Sequence, residues 1–253
     1  SNGHEVCWLS KDRSAATHAR AEAAGFVSFG GLDEFLAAVS GVISVCPPDA
    51  AIAQAQAVVG AGFDGLYLDA NAVAPATART IHELVGAGFV DGGIIGPPAR
   101  QPGSTRLYVA GLRASEVVGW FAGSALDTRQ IEGAPGSASA LKMCYAAYTK
   151  GTSALLLLIR ALAEAEGVEA GLLQEWELSQ PALAARSEGA ALGSAPKAWR
   201  FVGEMEEIAA AFAAHNLPGD FHRGAAETYR RLDDFKDREA VTLAEVIEAL
   251  RST

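Results

Sequence analysis

Gly133-Ala-Pro-Gly-Ser-Ala-Ser-Ala-Leu-Lys-Met-Cys-Tyr145 is the stretch at which this sequence stops alternating strands with helices and becomes helical throughout. The small residues 136–140 open a predicted helix with little side-chain bulk, so a flat ligand has room to lie against the helix start. Lys142 lies about two turns into this helix. An ammonium group near the positive end of a helix, partly desolvated by a ligand, is disfavoured. We therefore expect Lys142 to act as a general acid or base.

Before this stretch, short apolar strands alternate with helical segments. The predicted strands are 4–10, 42–46, 65–69, 89–95, 106–110 and 126–131, and the predicted helices are 14–24, 49–61 and 75–87. Strands joined through helices of this length form right-handed crossovers, so the pattern predicts a mostly parallel sheet with ligands at the carboxyl ends of the strands. Polar and glycine residues stand at those ends, at Ser10, Pro47, 69–71 and 91–93.

After Lys142 the pattern is helical only. A long helix is predicted from about residue 137 to 167. Four more helical segments follow, at 169–179, 197–214, 219–234 and 242–251. A length of 253 residues, half of them hydrophobic, is enough for two domains. The prediction is an α/β domain at 1–132 followed by an all-helical domain at 133–253.

Composition argues against two classes of partner. The net charge of −10 argues against binding a nucleic-acid backbone, which needs clustered Lys and Arg. Residues 154–162 include an apolar Leu-Leu-Leu-Leu-Ile run that Lys150 and Arg160 bracket, far short of the ~20 apolar residues that cross a bilayer. We therefore expect neither a nucleic-acid nor a membrane partner, and we expect the run to form a buried helix.

The three cysteines are Cys7, Cys46 and Cys144, an odd set without paired spacing. Neither a disulfide framework nor a zinc site is expected from them, and no metal ligand set is predicted. No signal peptide is evident, and Ser1-Asn2 before Gly3 is interpreted as the remainder of a cleaved expression tag. Cytoplasmic localisation is the expectation.

Four segments in order carry a resemblance to a known family. They are Val45-Cys46-Pro47-Pro48, Leu68-Asp69-Ala70-Asn71-Ala72-Val73-Ala74-Pro75, Asp91-Gly92-Gly93-Ile94-Ile95-Gly96-Pro97 and the helix start from Gly136 to Lys142. They resemble, in turn, the strand-end turn under the nicotinamide, an Asp-x-Ser-Thr-x-x-Pro segment, the substrate loop and the glycine-rich helix start with the catalytic lysine. The chain thus resembles the β-hydroxyacid dehydrogenase and 6-phosphogluconate dehydrogenase-like superfamily, in a bacterial branch with its own C-terminal helical domain of the DUF1932 type.

The resemblance implies a Rossmann-type domain and an NAD(P)-dependent oxidoreductase that acts on a hydroxyl or carbonyl group of a small molecule. It implies that Lys142 handles the proton on the substrate oxygen while the cofactor carries the hydride. Further implied contacts to the cofactor are Cys46, Pro47, Asn71 and Ala72, and those to the substrate are Gly92, Gly93 and Ile94. The alternative interpretation of Lys142 is a solvated helix lysine.

Cofactor preference is predicted from Ser10-Lys11-Asp12-Arg13-Ser14, which follows the first predicted strand. No acidic residue ends that strand, whereas NAD-selective folds often place Asp or Glu there for the ribose hydroxyls. Arg13 and Ser14, with Lys11, favour the 2′-phosphate of NADPH. The alternative is that Asp12 and Arg13 are ordinary polar residues at a helix start.

The largest departure from the family lies at the amino end. Gly3-His4-Glu5-Val6 resembles the family's second strand, so the first strand and its Gly-x-Gly-x-x-Gly turn are missing, and we expect no such motif elsewhere in the sequence. That turn brings backbone amides to the pyrophosphate, and its loss should impair dinucleotide binding. Of two interpretations, a chain that is incomplete and a molecule unable to bind the cofactor conventionally, we favour the first.

Other departures concern the substrate. Ile95, Pro97 and Ala146 replace the family's serine, glycine and asparagine, and the segment Glu204-Met205-Glu206-Glu207 is acidic where a distal lysine is expected. These changes remove groups that hold a carboxylate, so a small anionic hydroxy acid is less expected than in the family.

Two aromatic side chains are candidates to replace these substrate contacts. Tyr145 lies one helical turn beyond Lys142, and His222 follows a Pro-Gly turn. The alternatives are a core aromatic for Tyr145 and a helix-end residue for His222.

The sequence thus predicts a dimeric oxidoreductase whose helical half supplies the dimer contact. Two rival hypotheses remain. One is a non-catalytic relative that binds a ligand on the same fold. The other is an enzyme that reduces an imine instead of a carbonyl.

Overall fold

The computed structural model describes residues 3–252, which divide into two compact units, 3–142 and 143–252. The interpretation of Ser1-Asn2 as a tag remainder concerns residues outside the described part. The first unit extends beyond the predicted domain boundary at 132 because the first turns of a long helix, α6 (Ser137–Ala165), pack on its sheet.

The first unit contains two sheets. One is a parallel pair, β1 (Cys7–Leu9) and β2 (Val27–Phe29). The other has five strands in the order β3 (Gly41–Ser44), β4 (Leu66–Asp69), β5 (Phe89–Ile95), β6 (Thr105–Ala110) and β7 (Leu126–Gln130). Strands β3, β4 and β5 are parallel, so their carboxyl ends share one edge.

Strand β6 is antiparallel to β5, and β7 is parallel to β6. The expectation of a mostly parallel sheet is therefore confirmed for three of the four strand pairs, and the β5–β6 pair is the exception. Loop 96–104 contains no helix and is too short for the crossover that a parallel strand requires. The Thr105 hydroxyl donates to the Pro97 carbonyl and ties the two ends of this loop together.

Helices cover both faces of the five-stranded sheet. They are α2 (Leu32–Ala38), α3 (Ala51–Gly60), α4 (Pro75–Val85) and α5 (Ala114–Trp120). Helix α1 (Ala15–Ala23) lies beside β1, where the ring centroids of His18 and Trp8 are 5.0 Å apart. One core cluster joins Tyr67 and Phe89 to α2, α3 and α4, and a second joins Leu66 and Leu68 to α5. Because successive residues of a strand point to opposite faces, β4 supplies both cores and is buried along its length.

The second unit is all-helical. It contains the remainder of α6 followed by α7 (Glu169–Ser179), α8 (Leu183–Ser194), α9 (Ala198–Ala213), α10 (Asp220–Arg230) and α11 (Leu243–Arg251). Tyr229 is fully buried, and its hydroxyl donates to the Lys150 carbonyl at 2.7 Å. Among the described helices, none is both long and apolar enough to cross a membrane.

Four elements were missed by sequence reasoning, namely β2, α2, α5 and α8. Helix α5 is only seven residues long. Strand β2 is short and partly exposed, so it lacks the apolar run that marks a buried strand. Helix α2 has only one buried side chain, Leu36. Helix α8 is rich in Ala, Gly and Ser and has little amphipathic contrast, which hides its helical period.

Candidate active site

The start of α6 is held against β5 by a buried carboxylate. Asp91, with no exposed surface, accepts hydrogen bonds from the backbone N–H of Ala138 at 2.8 Å and of Ser139 at 3.1 Å. The Ser139 hydroxyl donates to the same carboxylate at 2.5 Å. Asp91 therefore satisfies amide groups that a helix start otherwise leaves open. Its negative charge also offsets the positive end of the helix dipole. The expectation that a ligand lies at this helix start depended on that positive end.

Gly93 lets the helix approach the strand closely. A Cβ atom at this position would lie 2.8 Å from the Ala138 carbonyl oxygen and 3.0 Å from the Cβ of Lys142. Gly136 has a φ of 99°, and a Cβ there would lie 2.9 Å from the Pro75 carbonyl oxygen. These two glycines permit the contacts of the α6 start with β5 and α4.

Lys142 lies on α6 above the carboxyl half of β5. Its Nζ donates a hydrogen bond to the backbone carbonyl of Ile94, and its side chain is partly buried. The structure thus brings together the predicted catalytic lysine and two of the predicted substrate residues, Gly93 and Ile94. Gly92 points the other way, since a Cβ there would lie 2.8 Å from the Asp69 carbonyl oxygen and from Leu68.

A second polar cluster joins the ends of β3 and β4. The Asn71 side-chain oxygen accepts from the Cys46 backbone N–H at 2.5 Å. Its side-chain amide donates to the Ser44 hydroxyl at 3.0 Å and to the Asp69 carboxylate at 2.9 Å. The predicted cofactor residues Cys46 and Asn71 are therefore neighbours, with Pro47 and Ala72 next to them in the chain. Both amide hydrogens of Asn71 are already used inside the protein.

The carboxylates Asp69 and Asp91 are paired across neighbouring strands in the β4–β5 register. Burial raises the pKa of Asp69 to about 6, against hydrogen bonds from Asn71 that lower it, and the Asp91 charge raises it further. Burial likewise raises the pKa of Asp91, opposed by its hydrogen bonds from Ser139 and Ala138. Each carboxylate is thus stabilised by a different turn at the same edge of the sheet.

The predicted cofactor residues Arg13 and Ser14 follow β1. Both are exposed, and the Ser14 hydroxyl accepts from the Thr17 backbone N–H as the cap of α1. Burial raises the pKa of the Cys46 thiol, and the Arg13 charge is a smaller effect that lowers this pKa. Arg13 therefore lies within electrostatic range of the turn after β3.

Two candidates belong to the second unit. Tyr145 is about half exposed on α6. His222 is only 5% exposed, with ring-centroid distances of 4.5 Å to Phe212 and 5.2 Å to Phe221, and burial lowers its pKa. His222 lies in the first turn of α10, so it is a helix-end residue, as the alternative given above has it, and it is also buried among aromatic rings.

The spacing Gly-x-Gly-x-x-Gly does occur once in the sequence, at Gly60-Ala-Gly-Phe-Asp-Gly65. It follows α3 and precedes β4, the reverse of the strand-to-helix context that binds a pyrophosphate. It therefore does not supply that turn. Among residues 3–252, no three His, Cys, Asp or Glu side chains are grouped so that they could hold a metal ion.

Sequence reasoning missed the roles of Asp91, Ser139 and Asp69. The signal was present, because an acidic residue within a buried strand needs a partner, and serine is a good donor in the first turn of a helix. What the sequence did not reveal is which of the distant donors each carboxylate would meet.

Comparison with known proteins adds a family model and several solved structures. Residues 163–232, within the helical unit, match a model described as a domain of unknown function, DUF1932. The chain is also similar to a conserved protein of unknown function whose structure was described as similar to 3-hydroxyacid dehydrogenases. The two are 28% identical with a TM-score of 0.66, and the match covers 92% of this chain and 90% of that one. No match was found among curated proteins.

Two further structures are enzymes by name. The first is 3-hydroxyisobutyrate dehydrogenase from Mycobacterium tuberculosis with L-serine, at 20% identity and a TM-score of 0.64, covering 99% of this chain and 92% of that one. The second is a reductive aminase from Aspergillus terreus with NADPH and ethyl levulinate, at 21% identity and a TM-score of 0.54, covering 98% and 92%. The chain has the β-hydroxyacid dehydrogenase-like fold with a helical C-terminal region that carries the DUF1932 segment. The predicted fold class and resemblance are confirmed.

Proposed function

We propose that this chain, which has the fold of the 3-hydroxyacid dehydrogenases, is an NAD(P)-dependent oxidoreductase that interconverts a hydroxyl and a carbonyl group of a small molecule. The observation that carries the proposal is the position of Lys142, whose amine lies at the carboxyl half of β5 on the Ile94 carbonyl. In sheets of this kind, ligands bind at the carboxyl ends of the parallel strands.

The residues at this edge fit part of a dinucleotide. The turns that contain Cys46-Pro47 and Asn71-Ala72 would contact the nicotinamide, and they are joined to each other by the Asn71 hydrogen bonds. Arg13, exposed after β1, is suited to a 2′-phosphate, which supports NADPH over NADH. The reductive aminase with the same fold was solved with NADPH. A bound nicotinamide would supply the hydride donor or acceptor.

The residues of this chain would manage the proton. In the oxidation direction the neutral Lys142 amine accepts the proton from the substrate hydroxyl as the hydride leaves the carbinol carbon, and in reduction it returns that proton to the oxygen. The Ile94 carbonyl, as an acceptor, orients the amine before substrate arrives. Positioning of this kind accounts for much of the rate gain in hydride transfer.

The substrate we favour is larger or less charged than a small hydroxy acid. Ile95 and Ala146 are buried and carry no donor, and Pro97 lacks a backbone N–H. Glu204 is engaged in an ion pair with Lys150 inside the helical unit. A substrate carboxylate would lack the serine and asparagine contacts that the family uses, at a cost of ~1 to 3 kcal/mol for each unpaired group.

A homodimer in the cytoplasm completes the proposal. Tyr148, Leu155, Leu158 and Leu162 form an exposed apolar seam on α6 with spacings of three, four and seven residues, typical of helices that associate. The free cysteines Cys7, Cys46 and Cys144 are consistent with a reducing compartment.

Imine reduction is the second candidate function. The similarity to the reductive aminase favours it, and the donor-poor loop after β5 would suit an uncharged carbonyl and amine pair. Lys142 favours the alcohol and carbonyl reaction, since it can exchange a proton with an oxygen. A non-catalytic relative that only binds a ligand is the remaining hypothesis.

The first test is cofactor binding and turnover. We expect NADPH to bind more tightly than NADH by calorimetry, and Arg13→Ala to remove that preference. A panel of hydroxy compounds with NADP⁺, and of ketones with NADPH with and without an amine, would follow the nicotinamide absorbance. Absence of nicotinamide binding would favour the non-catalytic hypothesis.

Lys142→Met is the decisive variant. Loss of a general acid or base should lower turnover by roughly 10²- to 10⁴-fold without changing the circular dichroism spectrum. Lys197→Met, at an exposed lysine of the helical unit, is the matched control and should keep full turnover. Turnover near the native rate in Lys142→Met would show that the lysine has no proton-transfer role.

A further inference from the structure

The carboxylate of Asp91, on β5, binds the first turn of α6. It accepts from two backbone amides and one hydroxyl, at Ala138 and Ser139, which are 47 and 48 residues away in sequence. Hydrogen bonds to a buried carboxylate are short and strong, and three of them on one group define a direction as well as a distance. These hydrogen bonds therefore define the distance of the first turn of α6 from β5 and its rotation about the helix axis.

Lys142 lies one turn beyond this clamp on the same helix. Its Cβ packs where a side chain at Gly93 would otherwise stand, and its Nζ reaches the Ile94 carbonyl. Residues 91, 93 and 94 of one strand thus contact residues 138, 139 and 142 of one helix. A shift of the first turn would carry the amine away from Ile94, because the helix moves as a rigid element over this distance.

Asp69 is the charged group that faces Asp91 from the adjacent strand. It is paired with Asp91 in the β4–β5 register, and its own carboxylate is engaged by Asn71. The two carboxylates therefore hold different partners, and Asp69 is not a substitute for Asp91 at the helix start.

We propose that Asp91 is a positioning residue for Lys142: by clamping the first turn of α6 to β5 through Ala138 and Ser139, it places the lysine amine on the Ile94 carbonyl. The catalytic significance of this placement rests on the proposed function, in which Lys142 exchanges the proton with substrate. The placement itself is a property of the protein without any ligand.

The test follows the lysine directly in the 253-residue chain. The sequence contains few lysines, which makes their signals separable, namely Lys11, Lys142, Lys150, Lys197 and Lys236. Reductive methylation with ¹³C-formaldehyde labels each amine, and Lys142→Arg assigns the signal of interest. Lys150, in its ion pair with Glu204 in the other unit, serves as an internal control.

We expect Asp91→Ala to move the Lys142 methyl signal toward the signals of the exposed Lys11 and Lys197, with the Lys150 signal unchanged. Asp91→Asn should restore most of the native signal, because the amide oxygen still accepts from the first turn. Ser139→Ala, which removes one of the three contacts, should give a smaller change in the same direction.

A native Lys142 signal in folded Asp91→Ala would overturn the proposal. If Asp91→Ala does not fold, Ser139→Ala decides, and a native Lys142 signal in that variant overturns the proposal equally. Equal changes at Lys142 and Lys150 would mean general unfolding instead of loss of the clamp, and would also count against it.

Kinetics separates this proposal from the proposed function. With a substrate identified, Asp91→Ala should lower kcat by roughly 10- to 100-fold with little change in KM, since misplacement by about 1 Å can have this effect. A displaced Lys142 signal in a protein without turnover or nicotinamide binding would refute the enzymatic function and leave the positioning role intact. A native Lys142 signal together with normal turnover in Asp91→Ala would refute the positioning role and leave the enzymatic function intact.

Discussion

At the scale of single residues, two buried aspartates organise the edge of the sheet. Asp69 and Asp91 are paired across β4 and β5, yet each accepts hydrogen bonds from a different turn. Burial disfavours both charges, while the amide and hydroxyl donors favour them. The result is a carboxylate pair whose geometry is defined by the polypeptide backbone around it.

Stability should therefore fall as the pH rises through the titration of Asp69. Its pKa is raised from 3.8 to about 6 in the folded protein, so the folded state binds more protons than the unfolded state between these values. The stabilising contribution is complete below pH ~4 and is lost by pH ~7, with a size of about 3 kcal/mol at most.

Urea denaturation at several pH values checks this. Asp69→Asn should be less stable at low pH, because its one amide oxygen replaces only one of the two carboxylate oxygens that accept from Asn71, but should lose less stability from pH 4 to 7 than the native chain. Asp64→Asn, at an exposed aspartate of the same unit, should retain the native dependence. Parallel pH curves for the native chain and Asp69→Asn would contradict the assignment.

At the scale of elements, the contact of α6 with β5 depends on Gly93. A methyl group there would lie 2.8 Å from the Ala138 carbonyl oxygen, which is backbone and cannot move alone. Helix α6 would have to retreat from the strand. The hydrogen bonds of Asp91 and the position of Lys142 both depend on this close approach.

Gly93→Ala should accordingly destabilise the protein by about 1 to 3 kcal/mol, as overpacking does, and reduce any Lys142-dependent turnover. Gly119→Ala, at an exposed glycine of α5 with open space around its Cβ position, is the control and should be neutral or stabilising by up to about 1 kcal/mol. Thermal denaturation of both variants measures the difference. Equal melting temperatures for the two would show that α6 accommodates the methyl group.

At the scale of the whole molecule, the chain combines a sheet unit that contains Lys142 with a helical unit that carries the DUF1932 segment. The helical unit exposes Tyr148, at 64%, and Leu162, at 62%, on the α6 seam defined above. Apolar side chains in such a row are typical of an interface between protein chains.

Association should therefore depend on this seam. Leu155→Glu combined with Leu162→Glu should convert a dimer to a monomer in light scattering coupled to gel filtration, because the introduced charges would be buried without partners. Leu178→Glu, at a leucine of α7 that is 78% exposed and outside the seam, should leave the dimer intact. A native chain that is monomeric at all concentrations would refute the dimer.

The sequence by itself determined the class of each half and the strands β3, β4 and β5 with their polar carboxyl ends, and its resemblance assigned Lys142, Gly93 and Ile94 to one predicted site. These depend on local periodicity and on short motifs, which a single sequence displays. The structure shows which residues surround Arg13, Ser14, Tyr145 and His222. The contacts predicted between these four side chains and a ligand stay predictions.

Only the tertiary structure decided the antiparallel β5–β6 pair, the bridge from Asn71 to Cys46 and the clamp of Asp91 on Ala138 and Ser139. Strand register and helix packing select these partners from residues far apart in the chain, and the free energy of each pairing depends on burial that no local pattern records. A buried carboxylate must find donors, but which donors it finds depends on the folded arrangement around it.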